Sequence, residues 1–173
     1  FCSALRLEFK DYPTLEFTQE YNLSTKPIQA DMLIIKKPAG LQLKNSIGEF
    51  FNSHNIIEYK SPTDHRFNHF AIDQTLAYGY YYKQKERSND VTVTLVVSKS
   101  HFNVIKWLKS HHKPYVTRHN GIYTVSNIFD LSFQICIVEE LDEDEFNWIT
   151  KLSNRLPIKK IQGACWVKRT RPL

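Results

Sequence analysis

A helical pattern of about twenty residues lies between two apolar runs of strand length, and this arrangement most constrains the fold. The runs read NIIEYKS at 55–61 and VTVTLVVS at 91–98, and the helical pattern covers 66–85. A helix between two strands of one sheet is the usual crossover connection, which favours parallel pairing of those strands. We therefore expect an α/β fold with a parallel or mixed addition at this point.

Two further strands precede the crossover and make the sheet a mixed one. Residues 15–23 alternate apolar and polar side chains, as a half-buried strand does, and residues 28–37 include a run that is apolar on both faces. A short turn at 24–27 joins them, so we expect an antiparallel meander. With a helix predicted at 2–10, the order is helix, three strands, helix, strand, in an α/β fold with a mixed β-sheet flanked by helices.

The sequence of the second half of the chain predicts further helices and strands. They are a helix at 101–112, a hairpin turning at Asn120-Gly121, a strand at 131–141 and a helix at 142–156. Asp142 with Glu145 three places on is the pattern of a helix capping box. We expect one domain over 1–173, in which 1–98 form a common core and 99–173 extend it.

Charge and cysteine content narrow the class of partner and the compartment. The net charge is +5 and the pI about 9.0, which favours an anionic partner such as nucleic acid. The three cysteines form no C-x-x-C pair, which favours a reduced, cytoplasmic setting. No apolar run approaches the ~18 residues of a membrane span, so we expect no membrane partner.

Acidic and basic side chains converge where two of the predicted strands meet. Glu58 and Lys60 project from one strand face about 6–7 Å apart, and Asp31 opens the preceding apolar strand. If the strands are neighbours, Asp31 and Glu58 can lie side by side, where a cation relieves their repulsion. Mg²⁺ prefers such carboxylate oxygens, and an adjacent Lys60 suits an attacking water and phosphate charge. The chemistry indicated is phosphodiester hydrolysis.

The segments ADMLIIKK, NIIEYKSP and DQTLAYGYYYK resemble the PD-(D/E)xK nuclease superfamily, and within it the Rpn-like, recombination-promoting and transposase-associated branch. The resemblance covers roughly residues 1–98 and implies a restriction-endonuclease-like fold. It implies Asp31 and Glu58 as ligands of Mg²⁺, or of Mn²⁺ in its place, with the main-chain carbonyl of Tyr59 as a further ligand. Lys60 would lie at the attacking water. The three central residues of the motif are intact.

The same resemblance implies two supporting residues. The family often adds a helix-borne Glu before the first strand, where Glu8 fits and Glu16 is the second choice. Many branches place a polar residue on the helix after the E-x-K strand, where Gln74 fits. One departure is Ala30, which stands where the family has Pro before its Asp. The implied function is a metal-dependent nuclease that hydrolyses phosphodiester bonds of DNA, with a homodimer as one way to cut both strands.

Each of these assignments has a structural alternative. Asp31 is alternatively a strand-edge acid that meets solvent, and Glu58–Lys60 an exposed ion pair worth about 0–1 kcal/mol. Glu8 is alternatively a helix-surface acid, and Gln74 a packing residue. At the level of the whole protein, the alternative is a catalytically inactive nuclease-like domain with a nucleic-acid-binding or regulatory role, or a purely structural protein.

Aromatic side chains recur at helical spacing along the 66–85 helix. Phe70, Tyr78, Tyr81 and Tyr82 are predicted on its apolar side. Core packing or contact with the sheet is the default interpretation of the tyrosines. A platform on which nucleic-acid bases stack is the alternative.

Overall fold

Seven strands and three α-helices form most of the regular structure in the computed structural model, which describes residues 1–19, 32–61, 69–99, 104–111, 113–125 and 130–152. The helices are α1 Cys2–Glu8, α2 His69–Glu86 and α3 Val104–Ser110. The strands are β1 Glu16–Gln19, β2 Met32–Lys36, β3 His54–Lys60, β4 Val91–Val97, β5 Tyr115–His119, β6 Ile122–Val125 and β7 Ser132–Ile137. Short 3-10 helices lie at Gly48–Phe50, Val138–Glu140 and Thr150–Leu152.

All seven strands belong to one mixed sheet, in the order β1-β2-β3-β4-β7-β6-β5. The meander β1-β2-β3 is antiparallel, and β3 pairs with β4 in parallel across the helical crossover of α2. β7 joins β4 in parallel, and the hairpin β5-β6 completes the sheet. The predicted α/β fold with a mixed sheet is therefore confirmed, and the strands of the second half lie in the same sheet as those of the first.

A separate hydrophobic core covers each face of the sheet. On one face, α2 and α3 pack over alternate residues of the central strands, such as Ile56, Val93 and Leu95. On the other face, α1 packs over the intervening positions, such as Ile57 and Val96. β4 is buried along its whole length because both cores use it, which explains its continuous apolar and Thr-containing sequence.

Polar side chains are paired where the central strands are buried. Asn55 is fully buried, and its Nδ2 donates to the carbonyls of Ile35 at 3.1 Å and Asn52 at 2.8 Å. The hydroxyl of Thr92 donates to Oδ1 of the same Asn55. The amide is thus bonded to two neighbouring strands, β2 and β4, as a buried amide must be if it is not to destabilise the core.

The α-helix predicted at 142–156 is wrong over its described part. The chain forms successive turns up to residue 149 and then the 3-10 helix Thr150–Leu152. Glu145 does not close a capping box, because its carboxylate accepts a hydrogen bond from the backbone N–H of Ser46 at 2.7 Å. Asp142 instead forms a local turn by accepting from the N–H of Asp144 at 2.8 Å.

The prediction for the aromatic side of α2 is only partly right. Tyr82 is fully buried and Tyr78 packs at the edge of the core, but Phe70 and Tyr81 are 64 % and 49 % exposed. The helix buries Ala71, Ile72, Thr75, Leu76, Gly79 and Tyr82 instead. Three of these residues, Ala71, Thr75 and Gly79, are small, which lets the helix axis approach the sheet more closely than a row of tyrosines would.

No helix among the described residues combines the length and the apolar character needed to cross a membrane.

Helix α2 packs tightly against β4 at Gly79, and this contact predicts the effect of a side chain there. A Cβ at this position would lie 2.6 Å from Cγ2 of Val93 and 2.9 Å from Cδ1 of Leu131. We expect Gly79→Val to lower the free energy of unfolding by about 1–3 kcal/mol, because the new atoms overpack the interface. The measurement is urea denaturation of the purified protein.

The matched control is Ala77→Val, which adds the same side chain to an exposed position of the same helix. It is expected to cost less than about 0.7 kcal/mol, the scale of helix propensity alone. Equal losses in the two variants would contradict the packing explanation.

Candidate functional site

Glu58 and Lys60 form a largely buried ion pair near the end of β3. Both project to the face covered by α2, as their spacing predicts, and Nζ of Lys60 lies 2.8 Å from Oε1 of Glu58. The side chains are 5 % and 14 % exposed. The alternative of an exposed surface ion pair is therefore wrong, and removing either charge is expected to cost more than an exposed pair would.

Helix α2 adds a third predicted residue to this pair. Nζ of Lys60 donates to Oε1 of Gln74 at 3.0 Å, and Nε2 of Gln74 donates to the hydroxyl of Tyr78 at 2.7 Å. A single ammonium is thus held between a strand carboxylate and a helix amide. Sequence reasoning missed Tyr78, although its position one helical turn after Gln74 was a usable signal.

Asp31 lies outside the described residues. Strand β2 begins at the next residue, Met32, and is the antiparallel neighbour of β3. In this register Met32 lies directly opposite Glu58. The condition placed on the two strands, that they be neighbours, is met, while the role of Asp31 as a metal ligand stays a prediction.

Tyr59 directs its side chain to the opposite face of the sheet from Glu58. Its hydroxyl is hydrogen-bonded to Oγ of Ser98 at 2.7 Å, and its ring stacks on Phe1 with the centroids 4.4 Å apart. The side chain therefore has a packing role, and only the main-chain carbonyl remains as the predicted ligand.

The two candidates for an additional acid lie in other parts of the fold. Glu8 ends α1, on the face opposite Glu58, and its carboxylate accepts from the backbone N–H groups of Trp148 and, at 3.0 Å, Ile149. Glu16 starts β1 and lies opposite Lys36 of β2 in the sheet. Lys36 in turn lies opposite His54, the first residue of β3. Six residues of extended strand, about 20 Å, separate that end of β3 from Lys60. The structure therefore brings neither acid to the ion pair.

One side chain of the site, the carboxylate of Glu58, has the donor chemistry that suits a hard cation. A buried carboxylate is the ligand type that Mg²⁺ selects, and Glu58 supplies one, with the carbonyl of Tyr59 next to it in the chain. Among the residues that the structure describes, no three His, Cys, Asp or Glu side chains cluster as a metal site. At present the ammonium of Lys60 provides the positive charge beside Glu58.

A separate cavity of about 260 Å³ opens on the other face of the sheet. Its lining includes Glu49, Phe50, Arg118 and Gln134. Gln134 is fully buried and donates to the carbonyl of Ile47 at 3.1 Å, while its Oε1 has no hydrogen-bond partner within the described ranges. Sequence reasoning did not find this cavity, because its lining comes from three segments far apart in the chain.

Comparison with known proteins gives no relative for this chain: no family model, no curated protein and no solved structure matches it.

The contacts of Glu8 predict how the ionisation of its carboxyl group affects the stability of the protein. Burial raises the pKa of the Glu8 carboxyl, and the hydrogen bonds from Trp148 and Ile149 lower it by a smaller amount. Because the folded-state pKa is raised, the ionised carboxylate costs stability once the pH exceeds that pKa. We expect Glu8→Gln, which keeps an acceptor oxygen without the charge, to be as stable as wild type or more stable at pH 7. Its advantage should shrink as the pH falls through the pKa of Glu8.

The companion variant Glu8→Ala is expected to lose about 1–3 kcal/mol, because two backbone N–H groups lose their acceptor. Urea denaturation of all three proteins at pH 7 and pH 4 measures both effects. Equal destabilisation by Gln and Ala would contradict this account of Glu8. If Glu8→Gln lost a catalytic activity without losing stability, the result would support a catalytic role for Glu8.

Proposed function

We propose that this protein is a metal-dependent nuclease that hydrolyses phosphodiester bonds of DNA. The observation that carries the proposal is the position of Lys60, whose ammonium lies 2.8 Å from the buried carboxylate of Glu58 and 3.0 Å from the amide oxygen of Gln74. An ammonium fixed in this way is suited to hold a water molecule and to offset charge that develops on a phosphate.

The roles follow from the chemistry of each group. Glu58, with Asp31 and the carbonyl of Tyr59, would hold Mg²⁺ or Mn²⁺. Such an ion, when bound, polarises a phosphate oxygen and lowers the pKa of a bound water. Lys60 positions the attacking water. Gln74 holds the ammonium of Lys60 in place by accepting its hydrogen bond, and the amide of Gln74 is itself fixed by the hydroxyl of Tyr78.

The topology and the charge of the chain support this proposal. The order helix, three strands, helix, strand is that of the common core which the resemblance to PD-(D/E)xK nucleases implies. In this core β1-β2-β3 are antiparallel and β3-β4 are parallel. The net charge of +5 favours a polyanionic substrate. If the protein cuts both strands of a duplex, a homodimer would supply one active site for each strand.

A second candidate function is a catalytically inactive nuclease-like domain that binds nucleic acid or regulates another protein. One observation favours it: Lys60 is already paired with both Glu58 and Gln74, and Glu58 provides the one carboxylate that reaches Lys60 within the described ranges. An ammonium saturated by protein acceptors has less capacity to hold a water molecule.

The nuclease proposal predicts metal-dependent cutting that disappears when Lys60 loses its charge. The protein is incubated with plasmid, single-stranded oligonucleotide and RNA in Mg²⁺, in Mn²⁺ and in EDTA. We expect cutting in either metal, none in EDTA, and a loss of about 100-fold or more in Lys60→Met, Glu58→Gln and Asp31→Asn, since each removes a group that the reaction uses.

Two controls separate catalysis from stability. Lys60→Met leaves Glu58 buried without its cation, so the double variant Glu58→Gln/Lys60→Met tests a folded protein with no buried charge at the pair. Lys36→Met removes the cation of the Lys36–Glu86 ion pair at the other end of the sheet and should keep full activity. Binding without cutting by the wild type would support the second candidate and exclude the first.

A further inference from the structure

Helix α2 carries two exposed aromatic side chains on the side that also presents Gln74. Phe70 is 64 % exposed and Tyr81 is 49 % exposed. At about 100° per residue, these two positions differ by only about 20° around the helix axis. Gln74 lies between them along the chain and about 40° from Phe70 around the axis. We call Phe70, Gln74 and Tyr81 the aromatic stripe.

The exposure of Phe70 and Tyr81 contrasts with the burial of another aromatic residue in the same helix. Tyr82, one position after Tyr81, is fully buried and hydrogen-bonded to His54 at 2.8 Å. Phe70 and Tyr81 therefore lie on the side of α2 turned away from the core, and Gln74 lies at the border of that side, where it reaches Lys60. The ring of Phe70 packs at a tilt against the ring of His69, with the centroids 4.1 Å apart, and 64 % of its side chain is still exposed. The exposed parts of Phe70 and Tyr81 offer aromatic surface to a ligand at little cost in conformational entropy.

The stripe is continuous with the candidate active site. Gln74 is hydrogen-bonded to Lys60, so one residue of the stripe touches the ion pair directly. From Phe70 to Tyr81 the helix rises about 16 Å, the length of about five stacked nucleotides at ~3.4 Å each. Lys85, also exposed, follows Tyr81 by one turn and adds positive charge at the far end.

We propose that the aromatic stripe binds unpaired bases, so that single-stranded nucleic acid is the preferred substrate of this protein. The inference rests on the proposed nuclease function and names its substrate class. Bases of a single strand can stack on the exposed parts of Phe70 and Tyr81 while the backbone phosphates pass near Lys85 and lead to Lys60 at the candidate active site. In a duplex the base faces are already stacked on one another, so the rings of the stripe have no face to contact.

The test is a binding measurement that does not depend on cutting. A fluorescently labelled 20-nucleotide single strand and the duplex of the same sequence are titrated with protein in EDTA and followed by anisotropy. We expect tighter binding of the single strand, with affinity reduced about fivefold or more in Phe70→Ala and in Tyr81→Ala. Phe70→Trp and Tyr81→Phe should keep the wild-type affinity, because they keep an aromatic face.

The matched control is Tyr80→Ala, which removes an exposed tyrosine of the same helix about 100° from Tyr81. It should leave single-strand binding unchanged. Equal or tighter binding of the duplex, no binding by the wild type, or an equal effect of Tyr80→Ala would overturn the proposal. So would a change in sedimentation of the stripe variants without a change in DNA binding, which would indicate contact between protein copies.

The outcomes distinguish this proposal from the nuclease proposal. If Phe70→Ala and Tyr81→Ala bind the single strand like wild type while metal-dependent cutting persists, the stripe has no role in binding and the nuclease proposal stands. If the single strand is bound through the stripe but no metal supports cutting, the nuclease proposal fails and the binding surface stands.

Discussion

The close packing of α2 against β4 determines the geometry of the candidate site. Gly79 leaves no room for a Cβ beside Val93, so α2 lies nearer to the sheet than a larger residue at this position would allow. At this distance Gln74 reaches Lys60 across the helix–sheet interface. A helix lifted by a larger residue at position 79 would move the amide away from the ammonium while leaving Glu58 and Lys60 together on their strand.

The parts of the fold that could be predicted from the sequence are those governed by local pattern. The apolar runs at β3 and β4, and the helical spacing between them, were enough to predict a crossover with a parallel or mixed addition, and the two strands are parallel. The alternation of side chains along a strand placed Glu58 and Lys60 on one face, which the ion pair confirms. Residue 31 lies outside the described ranges, so its part in the site stays a prediction.

The parts that could not be predicted depend on contacts between distant segments. The segment after β7 has the sequence of a capped helix, but Glu145 is bonded to Ser46 and the N–H groups of Trp148 and Ile149 are bonded to Glu8. These tertiary partners replace the bonds that a helix would make within itself. The same contacts explain why Glu8, a good candidate from its place before the first strand, has a structural environment instead.

The buried amide of Asn55 has a consequence for the reactive groups three and five residues further along the same strand. Strand side chains alternate with a period of two, so a slip of one residue against β2 or β4 would turn Glu58 and Lys60 away from α2 and bring Tyr59 to their place. Asn55 opposes such a slip, because its amide meets both the carbonyl of Ile35 on β2 and the hydroxyl of Thr92 on β4 in only one alignment. Asn55, which has no part in the proposed chemistry, thus fixes the register of the strand that carries Glu58 and Lys60.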